Sequence, residues 1–343
     1  MAKVEKILII QTAFIGDVIL VTPLLQACRD HFPDAVVDIL VIPAAGTIVE
    51  THPALRRAIL YDKRKSQAGW HGLITMARRL RREGYDLVLS PHRSLRSAFL
   101  AWRTRAAIRV GFDTSSGARL FTHRVVYDRS RHEVERNLSL LTALGIDPGW
   151  IPPQIFPTAA DRAEVDWQLA GLDAVAAPLV AIAPGSIWAT KRWPAASFRQ
   201  LAERIAAAGW PLVWIGGEDD RALCEQISQG MAGHQLNCAG RLTIRQSAEL
   251  IRRAAVLVCN DSAPLHAASA VDMPTVAIFG PTVPEFGFGP CSSVAAIIQE
   301  QLPCRPCSPH GGHKCPIGTH ACMTGIPVER VFQEIKRIVL GKK

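Results

Sequence analysis

The residues most able to bind a ligand follow two apolar runs in the C-terminal half of the chain. The run 256–259 ends in Asn260-Asp261-Ser262, and the run 274–279 ends in Gly280-Pro281-Thr282. We expect both runs to be parallel strands, whose carboxyl ends form the ligand-binding edge of an open α/β sheet. A carboxylate, hydroxyls and the nearby His266 suit a polyhydroxylated, phosphate-bearing ligand, although helix caps and a core histidine are alternative interpretations.

A basic segment, Thr190-Lys-Arg-Trp-Pro194, comes directly before a predicted helix. Two cations, a hydroxyl and the free backbone N–H groups of a helix start together make a phosphate site. The preceding strand ends in the loop Pro184-Gly-Ser186, which adds further donors. The alternative is that Lys191 and Arg192 lie on a solvated face.

Two more carboxylates follow predicted strands. Asp17 comes after Gly16 at the start of a helix, where it could be a general base for an attacking hydroxyl or a helix cap. Glu218 follows a glycine pair, where a carboxylate commonly accepts hydrogen bonds from ribose, although it could also cap a helix. The first loop has only one glycine of a G-x-G-x-x-G fingerprint, which argues against a standard dinucleotide site.

Four of the nine cysteines cluster near the C-terminus, and histidines are interspersed among them. They are Cys304, Cys307, Cys315 and Cys322. Four thiolates could surround a structural Zn²⁺ or iron ion, so we treat them as candidate metal ligands. The alternatives are reduced thiols that pack a loop, and disulfide or redox chemistry, which a cytosolic setting disfavours.

Composition narrows the class of protein. The chain has 343 residues and is 48% hydrophobic, which is enough for two domains with separate cores. Its net charge is +9, with the excess concentrated between Arg56 and Arg136, which suits an anionic substrate or membrane surface. Aromatic residues do not interleave with the basic ones, so nucleic acid is not an expected partner. We find no run of eighteen apolar residues and no leader pattern, so neither membrane spanning nor export is expected.

Strand and helix patterns alternate on both sides of a proline- and glycine-rich break at 145–153. The predicted elements include a first strand at Lys6–Ile10 and a helix from about Val18 to His31. Pro23 lies in the first turns of this helix, where it would be tolerated or would cause a bend. We predict an N-terminal domain at 1–152, a C-terminal domain at 153–326 and an amphipathic closing helix at 327–343. The predicted class is α/β, with two βαβ domains facing each other across a cleft.

The ordered set of motifs resembles glycosyltransferase family 9, the bacterial ADP-heptose:lipopolysaccharide heptosyltransferases, and in particular the second-heptose transferases. The resemblance spans nearly the whole chain. The motifs are Ile15–Asp17, Thr22–Leu24, Arg96–Ala98, Arg109–Phe112, His132–Asn137, Lys191–Pro194, Asn260–His266 and Phe279–Thr282. The sequence departs from the family pattern at Ala263, where the family commonly has glycine.

The resemblance implies a GT-B fold of two Rossmann-like domains, with the acceptor bound by the first and the nucleotide sugar by the second. It implies an inverting, metal-independent transfer with Asp17 as the base and Lys191 as the group that neutralises the leaving diphosphate. The implied donor-binding residues are Ser186, Thr190, Arg192, Glu218, Asp261, Ser262 and His266. The candidate acceptor contacts are Arg93, Arg96 and Arg136.

The implied reaction moves heptose from ADP-L-glycero-D-manno-heptose to the lipopolysaccharide inner core, a Kdo- or heptose-bearing lipid A acceptor, without a catalytic cofactor. The resemblance also implies a cytoplasmic enzyme, peripheral on the inner face of the inner membrane and held by anionic lipid. One alternative is a heptosyltransferase that acts on a protein or another glycan. The other is a non-enzymatic module that binds a nucleotide or a metal.

Overall fold

The computed structural model describes residues 3–172 and 177–341. The chain divides into two compact units, Met1–Phe156 and Pro157–Lys343. The division falls just after the predicted boundary at residue 152, and the segment predicted separately at 327–343 belongs to the second unit. Residues 1–2 and 342–343, at the ends of the predicted segments, lie outside the described residues.

The first unit is a parallel sheet flanked by helices. Its strands are β1 (Lys6–Ile10), β2 (Val36–Val41), β3 (Arg57–Leu60), β4 (Leu87–Ser90), β5 (Ile108–Phe112) and β6 (His123–Val125). Its helices are α1 (Ile15–Leu20), α2 (Thr22–His31), α3 (Gly46–Val49), α4 (Gly69–Arg82), α5 (Leu95–Thr104) and α6 (Glu133–Ser139). The strand order is β3-β2-β1-β4-β5-β6. Four of the five residues of β1 are buried, as expected of a parallel strand covered on both faces.

The second unit has the same architecture. Its strands are β7 (Val180–Ala183), β8 (Leu212–Trp214), β9 (Gln235–Asn237), β10 (Val256–Asn260), β11 (Thr275–Phe279) and β12 (Ala295–Gln299). Its helices are α7 (Ala159–Leu169), α8 (Ala195–Ala207), α9 (Arg221–Ser228), α10 (Ile244–Arg253), α11 (Ala263–Ala270), α12 (Ala321–Thr324) and α13 (Val328–Leu340). The strand order is β12-β11-β10-β7-β8-β9, and the pairs are parallel.

Both sheets therefore have the doubly wound order of a Rossmann-like fold. In each sheet the order reverses beside its first strand, between β1 and β4 and between β7 and β10. Ligands bind outside the carboxyl ends of strands at such a switch point. Arg93, Ser186 and Asp261 lie in the loops that follow β4, β7 and β10, and Asp17 lies in the first turn of the helix that follows β1.

The helix predicted from about Val18 to His31 begins earlier, at Ile15, and is interrupted at Val21, two residues before the Pro23 that was expected to be tolerated or to bend it. Pro23 is the second residue of α2 and has no backbone N–H with which to bond the Ile19 carbonyl. The Thr22 hydroxyl donates to that carbonyl instead, at 2.8 Å. The interruption therefore costs little hydrogen bonding, and α2 starts as a new helix.

The closing amphipathic helix is confirmed as α13. Its buried residues are Val331, Ile335, Ile338 and Val339. These side chains join the apolar core of the second unit, where α13 contacts α8. Within the described residues, none of the helices combines the length and the apolar character needed to cross a bilayer.

Candidate active site

Asp17 lies in the first turn of α1, directly after the loop that ends β1. Its carboxylate accepts a hydrogen bond from the backbone N–H of Phe14 at 3.1 Å, so the capping interpretation of this residue is correct. Burial, followed by the negative charge of Glu133, raises the pKa of Asp17 to about 7. A general base is most effective when its pKa is near the working pH, so the same carboxylate is also suited to proton abstraction.

Arg136, one of the predicted acceptor contacts, is buried inside the first unit. Its guanidinium donates to the Glu133 carboxylate and to the Tyr127 hydroxyl, each at 3.0 Å, and the Tyr127 hydroxyl donates to Glu133 at 2.9 Å. Other N–H groups of Arg136 bond the carbonyls of Asp128 and Arg129. Its guanidinium therefore organises the surroundings of Glu133.

Arg93 and Arg96 are half-buried and differ in their contacts. The Arg93 guanidinium lies 3.9 Å from the centre of the Tyr127 ring, and its charge lowers the pKa of Asp17. Within residues 3–172 and 177–341, no hydrogen-bond acceptor contacts the Arg93 side chain. Arg96 donates to the Tyr61 hydroxyl at 2.9 Å. Arg93 is thus the better placed of the two for an anionic group near Asp17.

Three further residues meet at the loop before Asp17, and sequence reasoning missed them as site residues. Lys63 donates to the Thr12 carbonyl, and the Thr12 hydroxyl lies 3.1 Å from Nδ1 of His92. Burial, with the charges of Lys63 and Arg93, lowers the pKa of His92 to about 4, so its imidazole is neutral at pH 7. The sequence could have indicated two of these residues as site residues by their positions, since Lys63 follows β3 and His92 follows β4.

In the second unit, Lys191 and Asp261 form an ion pair at the carboxyl end of β10. Their Nζ and Oδ2 atoms are 2.6 Å apart, and the side chains are only 12% and 7% exposed. The Thr282 hydroxyl donates to the same Asp261 oxygen at 2.6 Å. The structure therefore brings together two predicted site residues and adds Thr282, which ends the second apolar run.

The neighbouring Asn260 fixes the segment that carries Lys191. Its side chain accepts a hydrogen bond from the backbone N–H of Trp193 at 3.0 Å and donates to the Pro184 carbonyl at 2.8 Å. Asn260 is fully buried and Trp193 nearly so. Because both bonds are made to backbone groups, Asn260 holds the loop after β7 and the segment before α8 at a constant spacing.

The Thr190 hydroxyl, a predicted donor contact, is already engaged within the protein. It donates to the Gly312 carbonyl at 3.0 Å and accepts from the Gly312 N–H at 2.8 Å. The Thr190 carbonyl lies 2.8 Å from Nε2 of His320, and the rings of Trp188 and His313 are 5.3 Å apart. The cysteine-rich loop, residues 304–322, thus fixes the position of the turn that carries Lys191.

Ser186 and Arg192 are connected through the backbone. Nε of Arg192 donates to the Ser186 carbonyl at 2.7 Å, and the Ser186 side chain is buried. Burial raises the pKa of nearby Asp220, which sequence reasoning missed, and the Gly217 N–H and the charge of Arg192 offset only part of this rise. A Cβ at Gly185 or Gly216 would overlap the Asp220 carboxylate, so these glycines allow its close approach.

The remaining predicted donor contacts lie at three loop and helix positions. Glu218 is 70% exposed and pairs with Arg221 at 2.8 Å. Ser262 precedes α11 in an extended conformation, and its hydroxyl makes no capping bond to that helix. His266 is buried on α11, with its ring 6.3 Å from that of Phe288.

The described residues give no support to the predicted metal site. Cys322 is buried, Cys307 is exposed, and Sγ of Cys315 accepts a hydrogen bond from the His320 N–H at 3.4 Å. Cys304 is half-buried. Across residues 3–172 and 177–341, no three His, Cys, Asp or Glu side chains are grouped to hold a metal ion. The four thiols occupy different environments, because Cys322 packs into the apolar core while the others belong to the loop.

Comparisons with known proteins agree with the architecture of the two units. A profile of glycosyltransferase family 9 (heptosyltransferase) matches residues 73–314, more than two thirds of the chain. Lipopolysaccharide heptosyltransferase 1 of Pseudomonas aeruginosa is 29% identical over 315 residues, covering 88% of this chain and 86% of that protein.

Two solved structures are similar over almost the whole chain. The glycosyl transferase family 9 protein of Veillonella parvula has a TM-score of 0.85 at 23% identity and covers 98% of each chain. The ADP-heptose LPS heptosyltransferase II of Escherichia coli has a TM-score of 0.81 at 23% identity, covering 98% of this chain and 99% of that one. The chain has the GT-B fold of these structures. It belongs to glycosyltransferase family 9, the heptosyltransferases, and is a glycosyltransferase enzyme.

Proposed function

We propose that this enzyme transfers heptose from ADP-L-glycero-D-manno-heptose to the inner core of lipopolysaccharide. The proposal rests on the membership of the chain in glycosyltransferase family 9. The Pseudomonas aeruginosa relative is named for lipopolysaccharide, and the Escherichia coli structure is named for ADP-heptose. The buried Lys191–Asp261 pair at the switch point of the second sheet supplies the chemistry expected for a sugar diphosphate.

The donor half of the proposal depends on Lys191. An ammonium group has three hydrogen-bond donors, and Asp261 takes one of them, so two remain for a diphosphate. A fixed cation beside the leaving diphosphate stabilises the charge that develops as the glycosidic bond breaks. Oδ1 of Asp261 has no hydrogen-bond donor within the described residues, so it is available to a heptose hydroxyl.

The remaining predicted donor contacts are assigned by position. The Arg192 guanidinium keeps its terminal nitrogens for phosphate while Nε bonds the Ser186 carbonyl. Glu218 is exposed and would exchange Arg221 for ribose hydroxyls. Ser262 and His266 would line the sugar site, and Thr190 would act by orienting the turn of Lys191.

The acceptor half depends on Asp17. The ionised carboxylate takes the proton of an acceptor hydroxyl as its oxygen forms a bond to the anomeric carbon. The bond from that carbon to the diphosphate breaks, and ADP leaves with the electron pair. Attack from the face opposite the leaving group inverts the anomeric configuration. Arg93 would bind a carboxylate or phosphate of the acceptor, and Arg136 would hold Glu133 in place.

The setting of the reaction is also part of the proposal. An inner-core acceptor is attached to lipid A, so the enzyme would work as a cytoplasmic protein at the inner face of the inner membrane. The net charge of +9 favours contact with anionic lipid there. Charge neutralisation is assigned to Lys191 and not to a metal ion, so full activity in the presence of EDTA is expected.

The test is a transfer assay with the purified full-length chain. ADP-heptose is supplied with core lipids truncated at defined positions, and both ADP release and the mass of the lipid product are measured. We expect ADP release that depends on one acceptor, a product heavier by one heptose, and loss of both signals in Lys191→Ala. Turnover with another nucleotide sugar and none with ADP-heptose would refute the proposed donor.

A further inference from the structure

A cluster of exposed aromatic side chains lies on two neighbouring helices of the first unit. We define the aromatic face as Trp70 of α4 with Leu95, Phe99 and Trp102 of α5. Trp70 is 69% exposed, Leu95 58% and Trp102 42%. The rings of Trp70 and Phe99 are 5.6 Å apart and those of Phe99 and Trp102 are 5.8 Å apart, so the aromatic face is continuous.

Helix geometry explains why these side chains lie together. Leu95, Phe99 and Trp102 are separated by four and three residues, which places them on one side of α5. Phe99 also packs against the apolar core, which anchors the aromatic face. Exposed tryptophans in one apolar patch are uncommon on a protein surface without a partner.

The charge on these helices is of one sign. Neither α4 nor α5 contains an aspartate or a glutamate. Their arginines are Arg78, Arg79, Arg81, Arg82, Arg96 and Arg103. None of them forms an ion pair within residues 3–172 and 177–341. The Arg103 guanidinium lies 5.6 Å from the centre of the Trp102 ring, which joins the cationic and aromatic features.

We infer that the aromatic face inserts into the headgroup region of an anionic bilayer, with Arg103 and the exposed arginines of α4 contacting lipid phosphates. Tryptophan is enriched at membrane–water interfaces, because its ring is apolar and its N–H is polar. A basic helix with an apolar side typically lies in the plane of such an interface. Protein interfaces also bury tryptophan and arginine, so the lipid-linked acceptor of the proposed function is what favours a membrane over a protein partner.

The inference rests on the proposed function, because an enzyme whose acceptor is linked to lipid must reach the membrane surface. Its test does not depend on the heptosyl reaction, since lipid binding can be measured without donor or acceptor. A protein that binds vesicles but transfers no heptose would leave the inference intact and refute the proposed function. Heptose transfer without vesicle binding would support the proposed function and refute the inference about the membrane.

The experiment measures flotation of the full-length chain with two kinds of vesicle. The anionic vesicles contain phosphatidylethanolamine and phosphatidylglycerol, and in the neutral vesicles phosphatidylcholine replaces the phosphatidylglycerol. We expect binding to the anionic vesicles only, and weaker binding as salt is added. Trp70→Ala with Trp102→Ala should weaken it at least about tenfold. The matched control is Trp167→Ala on α7, where the tryptophan is 72% exposed but belongs to the other unit.

A second measurement separates binding from catalysis. With a water-soluble core oligosaccharide as acceptor, the double variant should keep the turnover of the unaltered chain, whereas with vesicle-embedded acceptor its turnover should fall. Three results would overturn the inference. They are equal binding to both kinds of vesicle, an equal loss of binding in Trp167→Ala, and conversion of a dimer to a monomer by the double substitution in light scattering.

Discussion

Replacing Asp17 with asparagine tests the assignment of the base through stability as well as through activity. Asparagine keeps an oxygen that can accept the Phe14 N–H bond, so the cap is preserved while the charge is removed. Burial and Glu133 raise the pKa of Asp17 from 3.8 to about 7. The folded state therefore holds the Asp17 proton more tightly than the unfolded state does. The folded state is therefore destabilised at every pH at which this carboxyl is ionised.

The sign and size of the effect follow from proton linkage. Below pH 3.8 the carboxyl is protonated in both states, so ionisation of Asp17 has no effect on stability there. As the pH rises towards 7, the folded state of the unaltered chain loses stability, by up to about 4 kcal/mol above pH 7. The side chain is partly accessible to solvent, so this value is an upper limit. Asp17→Asn should avoid the loss.

The assay is urea unfolding of both proteins at several pH values between 4 and 8, followed by tryptophan fluorescence. We expect a difference in stability of less than about 1 kcal/mol at pH 4 and a clearly more stable variant at pH 8. The matched control is Asp34→Asn, an exposed carboxylate that is also in the first unit. It should not reproduce the pH-dependent gain.

Activity gives the complementary result. In the unaltered chain, kcat/KM should rise tenfold per pH unit below about 7 and level off above it. Asp17→Asn should lose about 10²- to 10⁴-fold in kcat at every pH. A variant that is no more stable than the unaltered chain at pH 8 would show that Asp17 is not held in a site that opposes its charge. Near-normal turnover would show that Asp17 is not the base.

Two further predictions concern residues that act on the proposed catalytic groups. Glu133→Gln removes the negative charge that raises the pKa of Asp17, so the acidic limb of the kcat/KM profile should move down by about one pH unit; an unmoved limb would contradict this coupling. Gly311→Ala should lower kcat about tenfold, since the new Cβ would lie 3.1 Å from Cγ of Lys191. Gly318→Ala is its control, because both glycines have positive φ but Gly318 has no neighbour within 4 Å; equal losses of kcat would indicate backbone strain alone.

Local patterns in the sequence predicted the elements and the edge of each sheet where polar residues collect. The strand Lys6–Ile10 has the predicted bounds, because a short apolar run before a glycine-containing loop specifies a buried parallel strand by itself. The family also followed from short motifs, since each motif is a contiguous loop or helix start. One helix, tolerating Pro23 or bent by it, was predicted where two exist, because the effect of Pro23 depends on which carbonyl its missing N–H would have bonded.

The tertiary structure alone decided which side chains share a site within each unit. Lys191 pairs with Asp261, which is 70 residues away, and Thr190 bonds Gly312, which is 122 residues away. Arg136 was predicted to contact the acceptor, but it points inward because Glu133 and Tyr127 supply partners for its guanidinium. The sequence by itself determined the α/β class, the loops that carry chemistry and the family. Pairings between distant residues, buried charges and the unequal burial of the four cysteines depend on packing, and packing is not encoded in any local pattern.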